Sequence, residues 1–445
     1  MKTTLKYLAL GWIVASATIT KAQQINLSLP DALSLAKERN KTLQVQYMEE
    51  KVATASIKEA RSSMLPNIGV NGSYQYYFDR QVIFMPGSFV GNENQPVADV
   101  AVGGKNAISS NVYLQQVIFN EAARKQIKTA KLHAAIQNQK TRETESDMVV
   151  RISENYYTIQ LLKTSIGLHS QSLERNQQAL KDSRSLYYQG KALKVDTLRN
   201  YIAVQNLHST LSYLTSELEV HLLKLKNQLG LGSETYLNIT DSLFFEEATV
   251  QFINITDEEM LANRADVQQS RLAVNVSKST LEQSRAMRLP TISFVGSYQI
   301  QAQADDRKFD NYNWPRTSFV GLQANMPIFT GNRTKSKINQ SGWRLKQSQT
   351  ALQQVQENAI TEKAALGNEL HEAIKQANIQ KQTVEAAALS YQMTKDRYQN
   401  GLSSRLELSD AELSLTTAKM NQLNAAYRVL VTKLQLEKAL GVLAF

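Results

Sequence analysis

Leu65-Pro66-Asn67-Ile68, followed by Gly72-Ser73-Tyr74-Gln75, recurs as Leu289-Pro290-Thr291-Ile292, followed by Gly296-Ser297-Tyr298-Gln299, 224 residues further on. A second set, Tyr187, Gly190, Leu229 and Gly230, recurs as Tyr398, Gly401, Leu440 and Gly441 at a spacing of 211. Self-similarity at a fixed offset means that one structural unit has been built twice. Between these blocks Ile118-Phe119 and Ile328-Phe329 are 210 apart, so about 14 extra residues sit in the first copy between Gln75 and Val112. The chain therefore divides into a first repeat over residues 23–250 and a second over 251–445, with one long loop in the first. Neither repeat has a closed core of its own, so independent folding of the two is not expected.

After each Leu-Pro the apolar period becomes that of a strand. Ile68, Val70, Tyr74, Tyr76 and Phe78 alternate with Asn71, Ser73 and Gln75, and Val112, Leu114 and Ile118 with Asn111, Tyr113 and Gln115. In the second copy Ile292, Phe294, Tyr298 and Ile300 oppose Ser293, Ser297 and Gln299, while Val320, Leu322, Met326 and Ile328 oppose Gln323 and Asn325. Each repeat thus offers one antiparallel pair, over residues 67–78 with 108–119 and 291–302 with 316–329. Apolar-out, polar-in is the dyad pattern of a transmembrane barrel strand, and a soluble sandwich hairpin gives the same alternation.

Helices flank the pairs. Ser28 caps one that starts near Pro30, and Thr256-x-x-Glu259 matches a capping box in the second copy. Both should end before Pro66 and Pro290, because the residue before proline is driven out of helical backbone. No proline lies between 97 and 289 or after 327. From Glu121 to Tyr188 the only glycine is Gly167, so one helix of about 68 residues would reach roughly 100 Å at about 1.5 Å per residue. A partner follows Gly190, where Leu207, Leu211, Leu214, Leu218 and Leu225 keep heptad spacing. After Gly401, Leu406, Leu413, Met420, Tyr427 and Leu434 recur every seven residues. Long antiparallel coiled-coil hairpins turning near 190 and 401 follow, giving a mainly α chain with four strands.

Residues 1–22 have the form of an export signal: Lys2 and Lys6 precede an apolar run from Tyr7 to Ile19, with a small-residue exit at Thr20-Lys21-Ala22. That run is short of the roughly 20 residues that span a bilayer, although an uncleaved anchor is the alternative. The chain has no cysteine, which excludes a disulfide scaffold, a thiolate metal site and a lipid-acceptor thiol. No later apolar stretch approaches membrane-helix length, so any further crossing has to be made by strands. Four strands are too few to close a barrel, and open edges in lipid leave backbone groups without partners. Three copies would give twelve strands.

On the doubled order of helix, Leu-Pro strand, strand, long helix, Tyr-x-x-Gly turn, return helix and Leu-Gly ending, the whole mature chain resembles the TolC family of outer-membrane efflux proteins. The resemblance implies a homotrimer in outer-membrane lipid, with a twelve-stranded β-barrel continued by an α-helical barrel through the periplasm. It also implies a periplasmic adaptor and an inner-membrane transporter as partners, a passive duct as function, and cargo choice by the pump. The turns at Gly190 and Gly401 match the periplasmic tip that faces the adaptor. Glu407 and Asp410, six and nine residues after Gly401, match the acids that ring the narrow entrance in that family, the first being Asp there. Asp196 and Tyr398 match a link that holds the tip closed. An arginine present in some members is replaced by Ser403, with Arg405 nearby.

Spacing alone supports part of this. Glu407 and Asp410 share one helix face; three copies would set six carboxylates round an aperture, where like charge attracts cations and raises the carboxyl pKa values. A solvated charge pair is the alternative.

Signs of chemistry are sparse. The histidines at 133, 169, 208, 221 and 371 are scattered, no His-Glu-x-x-His or Gly-x-Ser-x-Gly occurs, and Asp99 stands where a phosphate loop before Gly103-Gly104-Lys105 needs glycine. Those glycines read instead as a flexible loop within 79–107, with a second surface loop at 303–315. No enzyme, cofactor or metal site is expected. The positive charge, +10 in all, is spread among acids, and export removes the chain from nucleic acid. The rival class is a structural periplasmic coiled-coil adaptor, which leaves the amphipathic strand pairs unexplained.

Overall fold

The computed structural model describes residues 25–91, 94–241 and 255–443. The segment taken as an export signal, residues 1–22, lies outside them, as does Phe445. The element order is β1 (Ile25–Leu27), α1 (Leu29–Arg39), α2 (Lys41–Ser62), β2 (Asn67–Tyr76), β3 (Gln81–Met85), β4 (Ala98–Val102), β5 (Asn106–Phe119), α3 (Glu121–Tyr188) and α4 (Lys194–Gln228). It continues with β6 (Leu237–Ile239), α5 (Asp257–Asn263), α6 (Ala265–Ala286), β7 (Thr291–Ala304), β8 (Arg316–Asn325), α7 (Arg333–Gln399) and α8 (Arg405–Ala439). Two compact units result: Gln46–Glu143 with Asp257–Ile360, and Met1–Val45 with Thr144–Thr256 and Thr361–Phe445. Each unit draws on both repeats, so the duplicated sequence is not the packing unit.

The strand-bearing unit holds a four-stranded antiparallel sheet in the order β2-β5-β7-β8. Its register aligns like with like across the strands. Ile68 faces Leu114, which faces Gly296 and then Val320; Asn71 faces Asn111, then Gln299 and Thr317. One face is therefore an apolar stripe, and the other is polar and knitted by Ser297 Oγ to Asn111 Oδ1 at 2.7 Å and by Ser73 to Ser109 at 2.8 Å. The apolar stripe is exposed, Val320 to 74% and Leu322 to 72%, which no aqueous surface would favour. Among the described residues β2 and β8 each have one unpaired edge. A bulge between Val117 and Phe119 displaces Ile118 from the register.

Four expectations are corrected here. β8 stops at Asn325 rather than 329, because Pro327 removes an amide and restrains Met326. The 79–107 loop contains a hairpin, β3 with β4, two five-residue strands too short to stand out by alternation. Gly103-Gly104 is ordered: the Gly104 amide donates to Gln303 Oε1 at 3.3 Å, and a Cβ there would lie 2.3 Å from the Ala304 nitrogen. Pairing also runs longer than read, with Asn106 opposite Ala304.

The helices of this unit meet through small polar contacts: Thr129 Oγ1 with Ser279 Oγ at 3.0 Å, Ser284 with Ser341 at 2.9 Å, and Lys125 Nζ with Glu282 at 3.1 Å. The Glu282 partnership raises the Lys125 pKa. The expected dispersion of positive charge fails here. Arg333, Lys335, Lys337, Arg344 and Lys346 open α7 with no acid before Glu357, and Arg285 of α6 lines the same cavity as Lys346. The i+4, i+7 and i+11 spacings put Arg333, Lys337 and Arg344 on one face of α7 and Lys335 with Lys346 on another, a local concentration that an overall charge count averages away.

In the other unit, Ser28 and Asp31 form a reciprocal capping box at α1, as the Ser-Leu-Pro-Asp sequence allows. The helix expected to run on towards Pro66 breaks at buried Asn40, whose side-chain amide donates to Gln228 O at 2.6 Å and whose Oδ1 accepts from the Leu43 amide at 3.1 Å. β1 pairs in parallel with β6. The Tyr156 hydroxyl lies 2.9 Å from Leu27 O and 2.8 Å from Asp241 Oδ2, tying α3 to that ribbon. α3 and α7 pair with α4 and α8 as coiled hairpins, with Leu370, Ala373, Ile374, Ala377 and Val429 forming one core.

The first heptad line points inward, Leu225 being fully buried. The second does so only in its lower part. Leu406 and Leu413 are exposed, Leu413 to 66%, while Leu408, Glu412 and Ala418 are buried instead. The inward line of α8 is thus set near its start by Glu412 and its partners, not by the strict seven-residue leucine spacing.

Candidate functional site

Two hairpin turns carry every residue singled out in the sequence. At the first, the Gly190 amide donates to Tyr187 O at 2.9 Å and the Lys191 amide to Leu186 O at 2.8 Å. At the second, Gly401 donates to Tyr398 O at 3.0 Å and Leu402 to Arg397 O at 2.8 Å. These paired bonds are Schellman closures, which need a residue at positive φ just past the helix. Gly190 and Gly401 supply it, at φ 71° and 72°. The Leu-Gly endings close α4 and α8 in the same way, through Gly230 and Gly441 at φ 67° and 71°.

The return helices begin differently. Asp196 and Glu407 are repeat equivalents, 211 apart, each in the first turn of its helix. Ser404 caps α8, its Oγ accepting from the Glu407 amide at 3.2 Å while Glu407 Oε2 accepts from the Ser404 amide at 3.1 Å. Ser403 also donates its hydroxyl to Glu407. The equivalent position in the first copy is Leu193, which provides no cap. Asp196 has no side-chain partner among the described residues and stays available.

These bonds bear on the expected aperture acids. Glu407 and Asp410 are both exposed and lie on one face of α8. Within one chain, however, the hydroxyl of Ser403 and then the amide of Ser404 hold the Glu407 pKa below its ordinary value. That opposes the rise expected from a ring of like charges. Asp196 and Tyr398 make no hydrogen bond to one another within a chain; instead Arg405 Cζ stands 5.9 Å from the Tyr398 ring centroid, a cation–π contact. Ser403, in the place of the family's arginine, is engaged with Glu407.

A third cluster leaves no local pattern in the sequence. Arg175 Nε of α3 donates to Glu412 Oε1 of α8 at 2.8 Å, and Ser172 Oγ and Asn176 Nδ2 each lie 3.4 Å from the same oxygen. Glu412 is only 6% exposed. The repeat equivalents are Ala386 and Tyr201, so the pair exists in one copy only and neither periodicity nor duplication marks it.

Comparison with known proteins follows the same division of the chain. The sequence matches the outer membrane efflux protein family over residues 32–231 and 258–442. It is 22% identical to outer membrane protein TolC of Escherichia coli (strain K12) over 95% of this chain and 81% of that protein. It is 21% identical to the alkaline protease secretion protein AprF of Pseudomonas aeruginosa over 94% and 85% respectively. The fold is similar to the CmeC outer membrane channel of Campylobacter jejuni, with a TM-score of 0.77, 15% identity, and coverage of 94% of this chain and 86% of that one. The two matched stretches fall one in each repeat, and the chain belongs to the outer membrane efflux protein family, as an efflux channel protein of the outer membrane.

Proposed function

We propose that three copies of this chain close into a passive duct that receives cargo from a periplasmic adaptor and an inner-membrane pump and releases it outside the cell. The observation that carries this reading is the open sheet. A single chain has a four-stranded sheet with unpaired edges at β2 and β8 and an exposed apolar face. In lipid each unpaired backbone group costs several kcal/mol, about 2–7 for an amide. Pairing β2 of one chain with β8 of the next removes both edges and yields twelve strands. The polar face, with Asn111, Ser297 and Gln299, then lines the lumen. No described helix is long and apolar enough to cross a membrane, which leaves the crossing to the strands.

The hairpin turns at Gly190 and Gly401 form the periplasmic tip and face the adaptor. Glu407 and Asp410 ring the aperture and favour cations there. Asp196, uncapped, accepts from Tyr398 of a neighbouring hairpin and holds the tip closed. Planar-bilayer recording tests the whole reading. Purified protein should conduct with a preference for cations, and Glu407→Gln with Asp410→Asn should reduce that preference severalfold. Tyr398→Phe with Asp196→Ala should raise the resting conductance. A conductance of that double variant equal to wild type would count against the link, and absence of any channel would count against the duct.

A further inference from the structure

α6 and α7 flank a groove of about 250 Å³ in the strand-bearing unit. Buried Leu281 and half-buried Ile338 form its apolar part, and exposed Arg285 and Lys346 stand at its border. The groove is open beside Gly342, where nothing lies within 4 Å of the Cβ position. Trp343 forms a wall and is 69% exposed, with Lys346 Nζ at 4.6 Å from its ring centroid.

Three features point to one occupant. The first is unbalanced charge. Arg285 and Lys346 have no carboxylate partner among the described residues, and the opening of α7 adds Arg333, Lys335, Lys337 and Arg344 without an acid. The second is the tryptophan, whose amphipathic ring is most stable where apolar chains meet polar headgroups. The third is position: Arg285 is six residues from the first residue of β7, next to the end of the membrane-spanning sheet. A groove with apolar side chains between two unpaired cations, next to a membrane-spanning sheet, fits an amphiphile with an anionic head, as basic pockets at membrane-spanning segments do.

We propose that this groove holds an anionic phospholipid of the leaflet on the helical side of the sheet. Its phosphate lies between Arg285 and Lys346, and an acyl chain runs along Ile338 towards the sheet, with Trp343 beside the head. The bound lipid fastens the start of the helical tube to the membrane surface. The proposal rests on the outer-membrane placement of the sheet.

Trp12, Trp314 and Trp343 are the tryptophans of the chain, so Trp314→Phe leaves Trp343 as the sole reporter beyond residue 22. This protein is inserted into phosphatidylcholine vesicles containing acyl-brominated phosphatidylglycerol or acyl-brominated phosphatidylcholine, and flotation establishes insertion. Trp343 fluorescence should be quenched at a severalfold lower fraction of the brominated anionic lipid, at roughly fivefold per cation. Arg285→Gln with Lys346→Gln should abolish the difference, and Arg285→Lys with Lys346→Arg should retain it. Equal quenching by both lipids, or none, in protein that floats would overturn the proposal while leaving the duct intact. A response of Trp343 to inorganic phosphate without quenching by brominated lipid would assign the groove to a soluble anion and also overturn it. Protein that fails to float would overturn both this and the duct.

Discussion

Arg175 and Glu412 meet 2.8 Å apart across the two helical hairpins, α3 to α8, in a position where the carboxylate is almost wholly buried. Ser172 and Asn176 add further donors to the same oxygen. A buried charge with its partner removed is left uncompensated, which typically costs about 3 kcal/mol or more. Arg175→Leu should therefore lower the denaturant midpoint clearly and speed amide exchange around Leu408 to Thr416. Arg175→Leu with Glu412→Leu should recover much of the loss, because an apolar pair leaves no stranded charge. Equal destabilisation by the single and double variants would show that the pair does not act as a unit.

The turn glycines make a second prediction. With φ near 71° at Gly190 and 72° at Gly401, an alanine must adopt left-handed backbone, at about 1–2 kcal/mol. Nothing lies within 4 Å of either Cβ position, so the cost is conformational rather than steric. Gly401→Ala should loosen the second turn in amide exchange, and Gly401→Asn should loosen it less. Equal effects of the two would contradict this account.

Glu407 serves as a cap as well as a charge, and pH separates the roles. Its folded pKa is depressed, so the stabilisation is complete above the ordinary glutamate pKa and is lost as pH falls through the lowered value. Amide protection in the first turn of α8 should be constant from pH 7 down to about pH 5 and then decline. Glu407→Gln preserves the capping geometry without charge. It should keep that protection at low pH while still reducing cation preference in conductance. Protection in Glu407→Gln that falls with pH as in wild type would assign the transition to another group.

Gly104 lies where β5 and β7 begin to pair. A Cβ there would stand 2.3 Å from the Ala304 nitrogen and 2.5 Å from its Cα, both backbone atoms that cannot swing aside. Gly104→Val should force the 103–105 turn away from Asp305 and reduce the yield of folded channel severalfold. Gly72→Val, in the same sheet with nothing within 4 Å of its Cβ position, should be tolerated. Similar yields for the two would contradict the packing described.

What was legible in the sequence was whatever repetition or period records. The limits of α3 followed from a proline-free run ended by Tyr-Tyr-Gln-Gly, and the two sheet faces from alternation of Ile68, Val70 and Tyr74 with Asn71 and Ser73. The Leu-Gly endings proved to be helix closures because only glycine meets positive φ there without strain. Illegible features depended on contacts between distant residues. Neither the break at Asn40, made by a bond to Gln228, nor the Arg175–Glu412 pair leaves a local pattern. The outward turn of Leu406 and Leu413 shows that a seven-residue spacing does not say which face is buried. The engagement of Glu407 by Ser404 has a local pattern, Ser404-x-x-Glu407, whereas the added bond from Ser403 has none.

A closed duct depends on the pairing of β2 in one chain with β8 in another. The absence of native cysteine allows this to be read directly. Val70→Cys is combined in turn with Ser318→Cys, Val320→Cys and Leu322→Cys, the protein is oxidised in outer membranes, and non-reducing electrophoresis gives the mass. Covalent dimers and trimers for at least one combination, lost on reduction, are the predicted result. Monomer alone at every register, in protein that is folded and membrane-bound, would contradict it.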